Sequence, residues 1–180
     1  MKKITKLFLV VVMACISVSA FAQTPKFAHI NFQEFVLLMP ESDAASEQLE
    51  AFGKELQEQI ESMQTEFQTK MAEYEKKATV WTSSVLEDKQ KEIQDLQRRI
   101  SNFQQVAQQD FNQKQQELML PILEKARKTI ATVAKRENFT YVFDISTGAL
   151  PYFDEQQSTD LLPIVKKELN ITKELPRTNR

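Results

Sequence analysis

Side chains that commonly carry out catalysis are scarce in this chain of 180 residues. There is one histidine, His29, and one cysteine, Cys15, and the two lie far apart in the sequence. With only two glycines, the chain has no glycine-rich phosphate loop. The many Asp and Glu side chains follow helical faces, which is typical of solvated surfaces rather than of a catalytic pair. The sequence thus predicts neither an enzyme nor a bound metal or cofactor, and His29 is expected on a sheet surface.

Weak apolar binding is the chemistry that the sequence supports better. Methionine side chains adapt to irregular contacts, and aromatic rings offer large contact areas. The candidates for such contacts are Phe67, Met71, Tyr74, Val80, Trp81, Phe103 and Phe111. Their helical spacing has a simpler explanation, because the same side chains can form the contact between two helices. The side chains expected in that helix contact are Met63, Phe67, Met71 and Phe103. Val80 and Trp81 would then remain the most accessible to a partner.

Two long helices must position these residues. From Asp43 to Lys135 the chain holds a single glycine, Gly53, and no proline before Pro121. Apolar residues in the first arm recur in steps of three, four and four, an eleven-residue period close to that of a straight α-helix. Those in the second arm recur mostly in heptad steps of three and four. The pattern predicts two amphipathic helices that fold back on each other as an antiparallel hairpin.

The ends of the two arms are marked by residues that begin or resist helices. Ser42 or Asp43 is the predicted N-cap of the first arm, and Ser84 is a possible cap of the second. The stretch from Thr79 to Ser84 disfavours helix and is predicted to form the turn. A first arm of roughly 38 residues would span about 57 Å, more than the diameter of a small domain. Because each apolar stripe is narrow, the hairpin must project outward or associate with copies of itself.

Gly53 and Pro121 are the predicted weak points of the hairpin. Glycine in a helix interior costs about 1 kcal/mol relative to alanine. Proline removes a backbone hydrogen bond and usually kinks the helix. Both residues are expected near the base at a similar height, where together they would form a hinge. The alternative is that each residue only accommodates packing.

The first 22 residues have the pattern of a secretory signal peptide. Three early lysines precede an apolar run that is too short to span a membrane comfortably, and Ala20, Phe21 and Ala22 form a small-x-small cleavage site. Cleavage there would remove Cys15 and shift the formal net charge from −2 to about −5. Lipidation of Cys15 is the alternative. The basic stretch over residues 124–136 is expected to pair with acidic neighbours, so no nucleic-acid partner is predicted.

The two ends of the chain after the leader are predicted to combine into one small α+β body. Its predicted elements are a strand over 27–31, a short helix before Pro40, strands over 141–145 and 149–153, a turn at Gly148 and a helix over 161–169. The candidate residues for its core and for contacts between subunits are Ile30, Phe32, Phe35, Tyr141, Phe143, Leu150 and Tyr152. With some sixty residues the body is marginal for an independent core, and oligomerisation is a usual remedy.

The segments FAHIN and NFQEFVLL, the long hairpin, and the C-terminal segments PILEKARKTIATVAKRENFTYVFDISTGALPYF and DLLPIVKKELN resemble the Skp/OmpH family of periplasmic chaperones. The resemblance covers nearly the whole chain after the leader, and the C-terminal segments carry most of its specificity. It implies a homotrimer in which strands of three chains form the body. Three hairpins would then project as tentacles around a cavity that holds unfolded outer-membrane proteins without ATP.

The resemblance gives the chain a domain plan. Residues 1–22 are the signal peptide, 23–42 and 121–172 the trimerisation body, 43–120 the hairpin tentacle, and 173–180 a flexible tail. Two features depart from the family. Its best-known members are strongly basic, whereas this chain is acidic. Where related sequences often have a threonine cap before the last helix, this one has Leu162 followed by Pro163.

Two functions follow as hypotheses. The first is an ATP-independent periplasmic holdase that prevents aggregation of unfolded outer-membrane proteins through many weak apolar contacts. The second is a structural or adaptor protein of the cell envelope that uses the same trimer as a spacer. Contact with a membrane surface stays open beside either function.

Overall fold

The computed structural model describes residues 25–175, and within that range the chain forms four helices and three strands. In chain order they are β1 (Phe27–Ile30), α1 (Phe32–Leu38), α2 (Pro40–Lys77), α3 (Ser83–Arg136), β2 (Tyr141–Asp144), β3 (Ser158–Asp160) and α4 (Leu162–Glu168). The predicted signal peptide over residues 1–22 lies outside the described residues, as do residues 176–180. The α+β class is confirmed: long helices dominate and the sheet is small.

Helices α2 and α3 form the hairpin that the apolar periodicity predicts, with 38 and 54 residues respectively. Near the body Lys125 bonds to Glu41, and farther out Lys70 lies 3.5 Å from Glu92, so the two helices run in opposite directions. The apolar residues buried along the hairpin beyond its base are Met63, Ile93, Leu96 and Ala107. Most other positions of the two helices beyond the base are half-buried or exposed.

The start of α2 differs from the predicted caps. The helix begins at Pro40, so neither Ser42 nor Asp43 is its N-cap. Proline suits this first turn because the N–H that it lacks would have no partner within the helix. The Ser42 hydroxyl instead donates a hydrogen bond to the backbone oxygen of Val36 at 2.5 Å, which ties α2 to α1.

The turn between the long helices covers residues 78–82. The turn is hydrogen-bonded to the end of α2, since the N–H groups of Val80 and Trp81 both donate to the carbonyl of Lys77. Helix α3 then begins at Ser83, and the preceding Thr82 makes no side-chain cap bond. The predicted cap, Ser84, therefore lies inside the helix and is not its cap.

The sheet has the order β2-β1-β3, and both pairs of strands are parallel. Phe27 is paired with Tyr141 on one side and with Ser158 on the other. The predicted strand over 149–153 is wrong, because those residues belong to no strand and the third strand lies at Ser158–Asp160. A chain that returns directly from β2 could pair only antiparallel. A parallel partner requires a crossing segment, which residues 145–157 provide.

The core of the body lies between one face of the sheet, α1, α4 and the last turns of α3. Burial alternates along β1, where Ala28 and Ile30 face this core and Phe27 and His29 face the other side. The largest fully buried side chains are Phe35, Ile30, Leu38, Met39, Leu161, Val133 and Val165. Of the predicted core residues, Ile30 and Phe35 are thus buried, and Phe32 packs half-buried against the same cluster.

Asp144 ties the end of β2 to the start of α1. Its Oδ1 accepts hydrogen bonds from the backbone N–H of Phe32 at 3.3 Å and from the backbone N–H and hydroxyl of Ser146 at 2.8 and 2.7 Å. Burial acts to raise the pKa of Asp144, but the hydrogen bonds from Ser146 and Phe32 outweigh it and hold the pKa below its usual value.

The flexible tail was predicted over residues 173–180. Its described part, residues 173–175, packs onto the body together with Ile171, whereas residues 176–180 lie outside the described residues. Ile171 is 7% exposed, and Leu175 packs against the core. The ammonium group of Lys173 donates to the backbone oxygen of Leu37 at 3.1 Å and to Asp43 at 2.5 Å.

Candidate functional site

The tip of the hairpin presents apolar side chains to solvent. Val80 is 77% exposed, whereas Trp81 is half-buried. The Trp81 ring meets Tyr74 edge-on, with 6.3 Å between ring centroids, and the Lys77 ammonium group lies 5.7 Å from the Trp81 ring centre. Val80 is therefore free for a partner, and part of Trp81 is already covered by its own hairpin.

The other candidate contact residues lie along the length of the hairpin. Met63 is buried there, and Phe67, Met71 and Phe103 are half-buried, as expected for the contact between α2 and α3. Phe111 is also half-buried, and its ring lies against Gly53. These side chains pack the two helices together, so a partner could meet only their exposed parts.

Sequence reasoning missed an apolar groove on the outer face of α3. Leu120 is 58% exposed, and the groove around it has a volume of about 500 Å³. Its lining residues are Gln113, Gln116, Glu117, Met119, Leu120 and Leu123. Positions 113, 116, 120 and 123 follow heptad steps, a signal that was hidden because glutamine occupies two of the four positions. Val106, one heptad before Gln113, is 49% exposed and extends the face toward the tip.

The face of the sheet that points away from the core is aromatic. Phe27, Tyr141 and Phe143 contact one another with 6.1 to 6.2 Å between ring centroids. Tyr141 is 60% exposed and Tyr152, in the crossing segment, is 80% exposed, while Leu150 is half-buried. This surface, Phe27, Tyr141, Phe143 and Phe153, is called the aromatic face below. Of the residues predicted for the core and for subunit contacts, Tyr141 and Tyr152 are therefore exposed in a single chain, and Phe143 and Leu150 are half-buried.

His29 lies on this same side of the sheet, as predicted. Its Nδ1 is 2.9 Å from the hydroxyl of Ser158, and its ring contacts Phe153 with 4.7 Å between ring centroids. Residues 25–175 contain no group of three or more His, Cys, Asp or Glu side chains that could hold a metal ion. Among the helices of that same range, none is long and apolar enough to cross a membrane.

The basic stretch over residues 124–136 is engaged within the chain. Lys125 donates to Glu41, and this hydrogen bond is the main reason why the pKa of Glu41 lies below its usual value. Arg136 bonds to Glu168 at 2.7 Å, which raises the pKa of the guanidinium group. Arg127 lies over the Phe32 ring at 5.9 Å. Lys125 and Arg136 thus pair with acidic neighbours, as predicted for this stretch, whereas Arg127 contacts an aromatic ring.

Gly53 and Pro121 do not lie at one height of the hairpin, which corrects their predicted pairing. Gly53 faces Phe111, whereas Pro121 lies beside Ala44 and Ala45 at the very base. The step of eight residues from Ala45 to Gly53 corresponds to about 12 Å along α2. Helix α3 continues through Pro121 without a break.

Comparison with known proteins identifies both the family and the fold. Residues 26–169 match the family model described as outer membrane protein (OmpH-like). The chain also resembles the crystal structure of an OmpH-like protein from Caulobacter crescentus CB15, which is named as a candidate outer membrane chaperone. The two are 14% identical, with a TM-score of 0.70 over 87% of this chain and 90% of the other. At this identity the likeness speaks for the fold alone. No match was found among curated proteins.

Proposed function

The chain belongs to the OmpH-like family, and on that premise we propose that it is a periplasmic chaperone without enzymatic activity. It binds unfolded outer-membrane proteins and prevents their aggregation without ATP. The observation that carries this proposal is a hairpin about 57 Å long whose outer surfaces keep apolar side chains without a partner in the chain. Exposed apolar area on a projection outside the core is typical of an interaction surface.

Many weak contacts would hold the client. Val80 at the tip and Leu120 near the base are each more than half exposed. Each buried methylene group contributes about 0.8 kcal/mol, so no single contact of this kind gives high affinity. Several hairpins around one client would act together and raise the effective affinity. Weak contacts also allow the client to leave without an energy source.

Assembly into a homotrimer through the body is part of the proposal. Strands β2 and β3 each have one edge that pairs with no other strand in the described residues, and a three-stranded sheet is near the lower limit of independent stability. The aromatic face lies open beside these edges. Pairing of β2 with β3 of the next copy would satisfy both edges, and three copies would enclose the aromatic faces.

Aggregation of an unfolded outer-membrane protein tests the chaperone function. The protein is mixed with denatured client at one trimer per client, in the absence of ATP, and light scattering is followed after dilution of the denaturant. We expect suppression of scattering by the parent protein. A variant with Val80→Ser and Leu120→Ser should suppress it less. A matched control with exposed polar changes outside the groove, Thr79→Ser and Gln115→Asn, should act as the parent does. Full aggregation with the parent protein would favour the adaptor function instead.

The oligomeric state tests the assembly. Phe143→Asp places a charge within the aromatic face, where an unpaired charge costs several kcal/mol on burial. We expect this variant to dissociate and to lose stability together in analytical ultracentrifugation and thermal unfolding. The control is Gln33→Asp, at an exposed position of α1. A parent protein that sediments as a folded monomer would refute the trimer.

A further inference from the structure

The segment that follows α4 has a defined backbone conformation and packs on the body. Residues 170–175, called the strap below, lie beyond residue 169, where the family match ends. Asn170 has a positive φ of 54°, which asparagine tolerates well, and reverses the chain at the end of α4. The N–H of Ile171 donates to the backbone carbonyl of Lys166, and the N–H of Asn170 donates to that of Lys167. These are the two hydrogen bonds of a Schellman motif. The direction of the strap is therefore fixed by its own backbone.

Apolar and ionic contacts hold the strap on the body. Ile171 is 7% exposed within the core cluster, and Leu175 packs against the same cluster. Between them Glu174 bonds to Lys166 of α4 at 2.5 Å. Ile171 and Leu175 thus hold both ends of the charged stretch on the body, and the side chain of Lys173 between them points toward α1 and α2.

Lys173 joins the last turn of α1 to the first turn of α2. The backbone carbonyl of Leu37 is one of the last carbonyls of α1, which receive no hydrogen bond from a following turn of the helix. A cation is therefore a favourable partner for it. Asp43 lies in the acidic first turn of α2. The ammonium group thus bridges the corner at Met39 and Pro40, where the hairpin leaves the body.

We propose that the strap is a clasp that restrains the angle between the hairpin and the body. The clasp is effective because the hairpin is a long lever. An arm of about 57 Å that turns by about 5° at its root moves its tip by about 5 Å. The salt bridge is open to solvent, with 38% of the Lys173 side chain and 55% of the Asp43 side chain exposed. It therefore restrains the root without locking it, and this role does not depend on the proposed chaperone function.

Amide hydrogen exchange on the full chain tests the clasp. In the variant Lys173→Ala we expect the amides of residues 44–48 to exchange about two- to five-fold faster, the range that corresponds to loss of an exposed ion pair. Amides of residues 60–67, far from the root, should exchange as in the parent. The control is Thr172→Ala, at the exposed neighbouring position, which should change neither region. In the background of Asp43→Asn, Lys173→Ala should have a smaller effect.

A chain that ends after Asn170 is the second variant. It loses Ile171 as well, so it should unfold at lower temperature and show a larger increase of exchange at residues 44–48. Unchanged exchange at residues 44–48 in Lys173→Ala would overturn the clasp, whatever the shortened chain does. Uniformly faster exchange along the whole hairpin would also overturn it, because that result indicates general destabilisation.

Discussion

Asp144 shows how much of the body's geometry depends on a single carboxylate. It receives hydrogen bonds from the start of α1 and from the turn after β2, and so it joins two segments that are more than one hundred residues apart in the sequence. Because its folded pKa lies below the usual value of 3.8, the group stabilises the fold above its unfolded pKa. That contribution is lost as the pH falls through the folded pKa.

Asp144→Asn should therefore destabilise the body in a pH-dependent way. We expect the free energy of unfolding to fall by about 1 kcal/mol at neutral pH, since a charge-assisted acceptor is replaced by a neutral one. The difference from the parent should shrink as the pH falls through the folded pKa of Asp144, which lies below 3.8, because the parent's own carboxyl then becomes protonated. Urea unfolding at a series of pH values from neutral downward measures this. Asp110→Asn, on the exposed face of α3, serves as control, and a difference that stays constant with pH would contradict the role given to Asp144.

Gly53 offers a second test at the residue scale. An added Cβ would lie 3.1 Å from Cε2 of Phe111, so the ring must move by a few tenths of an ångström. Phe111 is only half-buried and can give way. We expect Gly53→Ala to raise the free energy of unfolding by less than about 1 kcal/mol, which is the gain in helix propensity minus the cost of moving the ring. In the background of Phe111→Leu the gain should be larger. Destabilisation in both backgrounds would contradict this account.

At the scale of the elements, local patterns predicted the helices and failed for long-range pairing. The hairpin was predictable because its apolar residues repeat over many turns without a break before Pro121. The third strand was not, because Ser158, Thr159 and Asp160 are polar, and a parallel partner leaves no signal in neighbouring residues. The groove at Leu120 was hidden by glutamines, and the strap by its lack of periodicity. The sequence thus indicated hairpin positions where apolar side chains repeat, and it missed positions where polar side chains interrupt the repeat or where no repeat exists.

Pro121 and Gly53 remain candidates for bending, now as two separate soft points of the hairpin. Proline inside a helix costs about 3 kcal/mol relative to alanine. Helix α3 nevertheless continues there because Leu118 and Ile122 pack against the body cluster on either side. A variant with Gly53→Ala and Pro121→Ala should be stiffer and more stable.

That double variant should also capture large clients less well than small ones, if bending of the hairpins widens the cavity. Suppression of aggregation is compared for two outer-membrane proteins of different size, and thermal unfolding confirms that the variant is folded. The control is the pair Ala51→Ser and Lys128→Gln, at exposed positions on the two helices. Equal capture of both clients by the double variant would show that neither residue acts as a hinge.

At the scale of the whole molecule, the distribution of charge argues against capture of a client by electrostatic attraction. The formal net charge of the sequence is −2, and several cations on the hairpin pair with carboxylates of the same hairpin, such as Lys77 with Glu73 and Lys70 with Glu92. The apolar positions at Val80, Val106 and Leu120 remain open. Under the proposed chaperone function we therefore expect the attraction of a client to depend on apolar area, and the acidic first arm to repel the acidic regions of that client.

Salt should consequently change client capture only modestly. Interactions between exposed charges weaken steeply as the Debye length falls from about 30 Å at 0.01 M to about 8 Å at 0.15 M salt, whereas apolar burial is nearly insensitive to this change. We expect the affinity for an unfolded outer-membrane protein to vary by less than about three-fold over that range, with a negative heat-capacity change on binding. Titration calorimetry at both salt concentrations measures the two quantities. A loss of capture at 0.15 M, together with a heat-capacity change near zero, would mean that charges rather than apolar side chains hold the client.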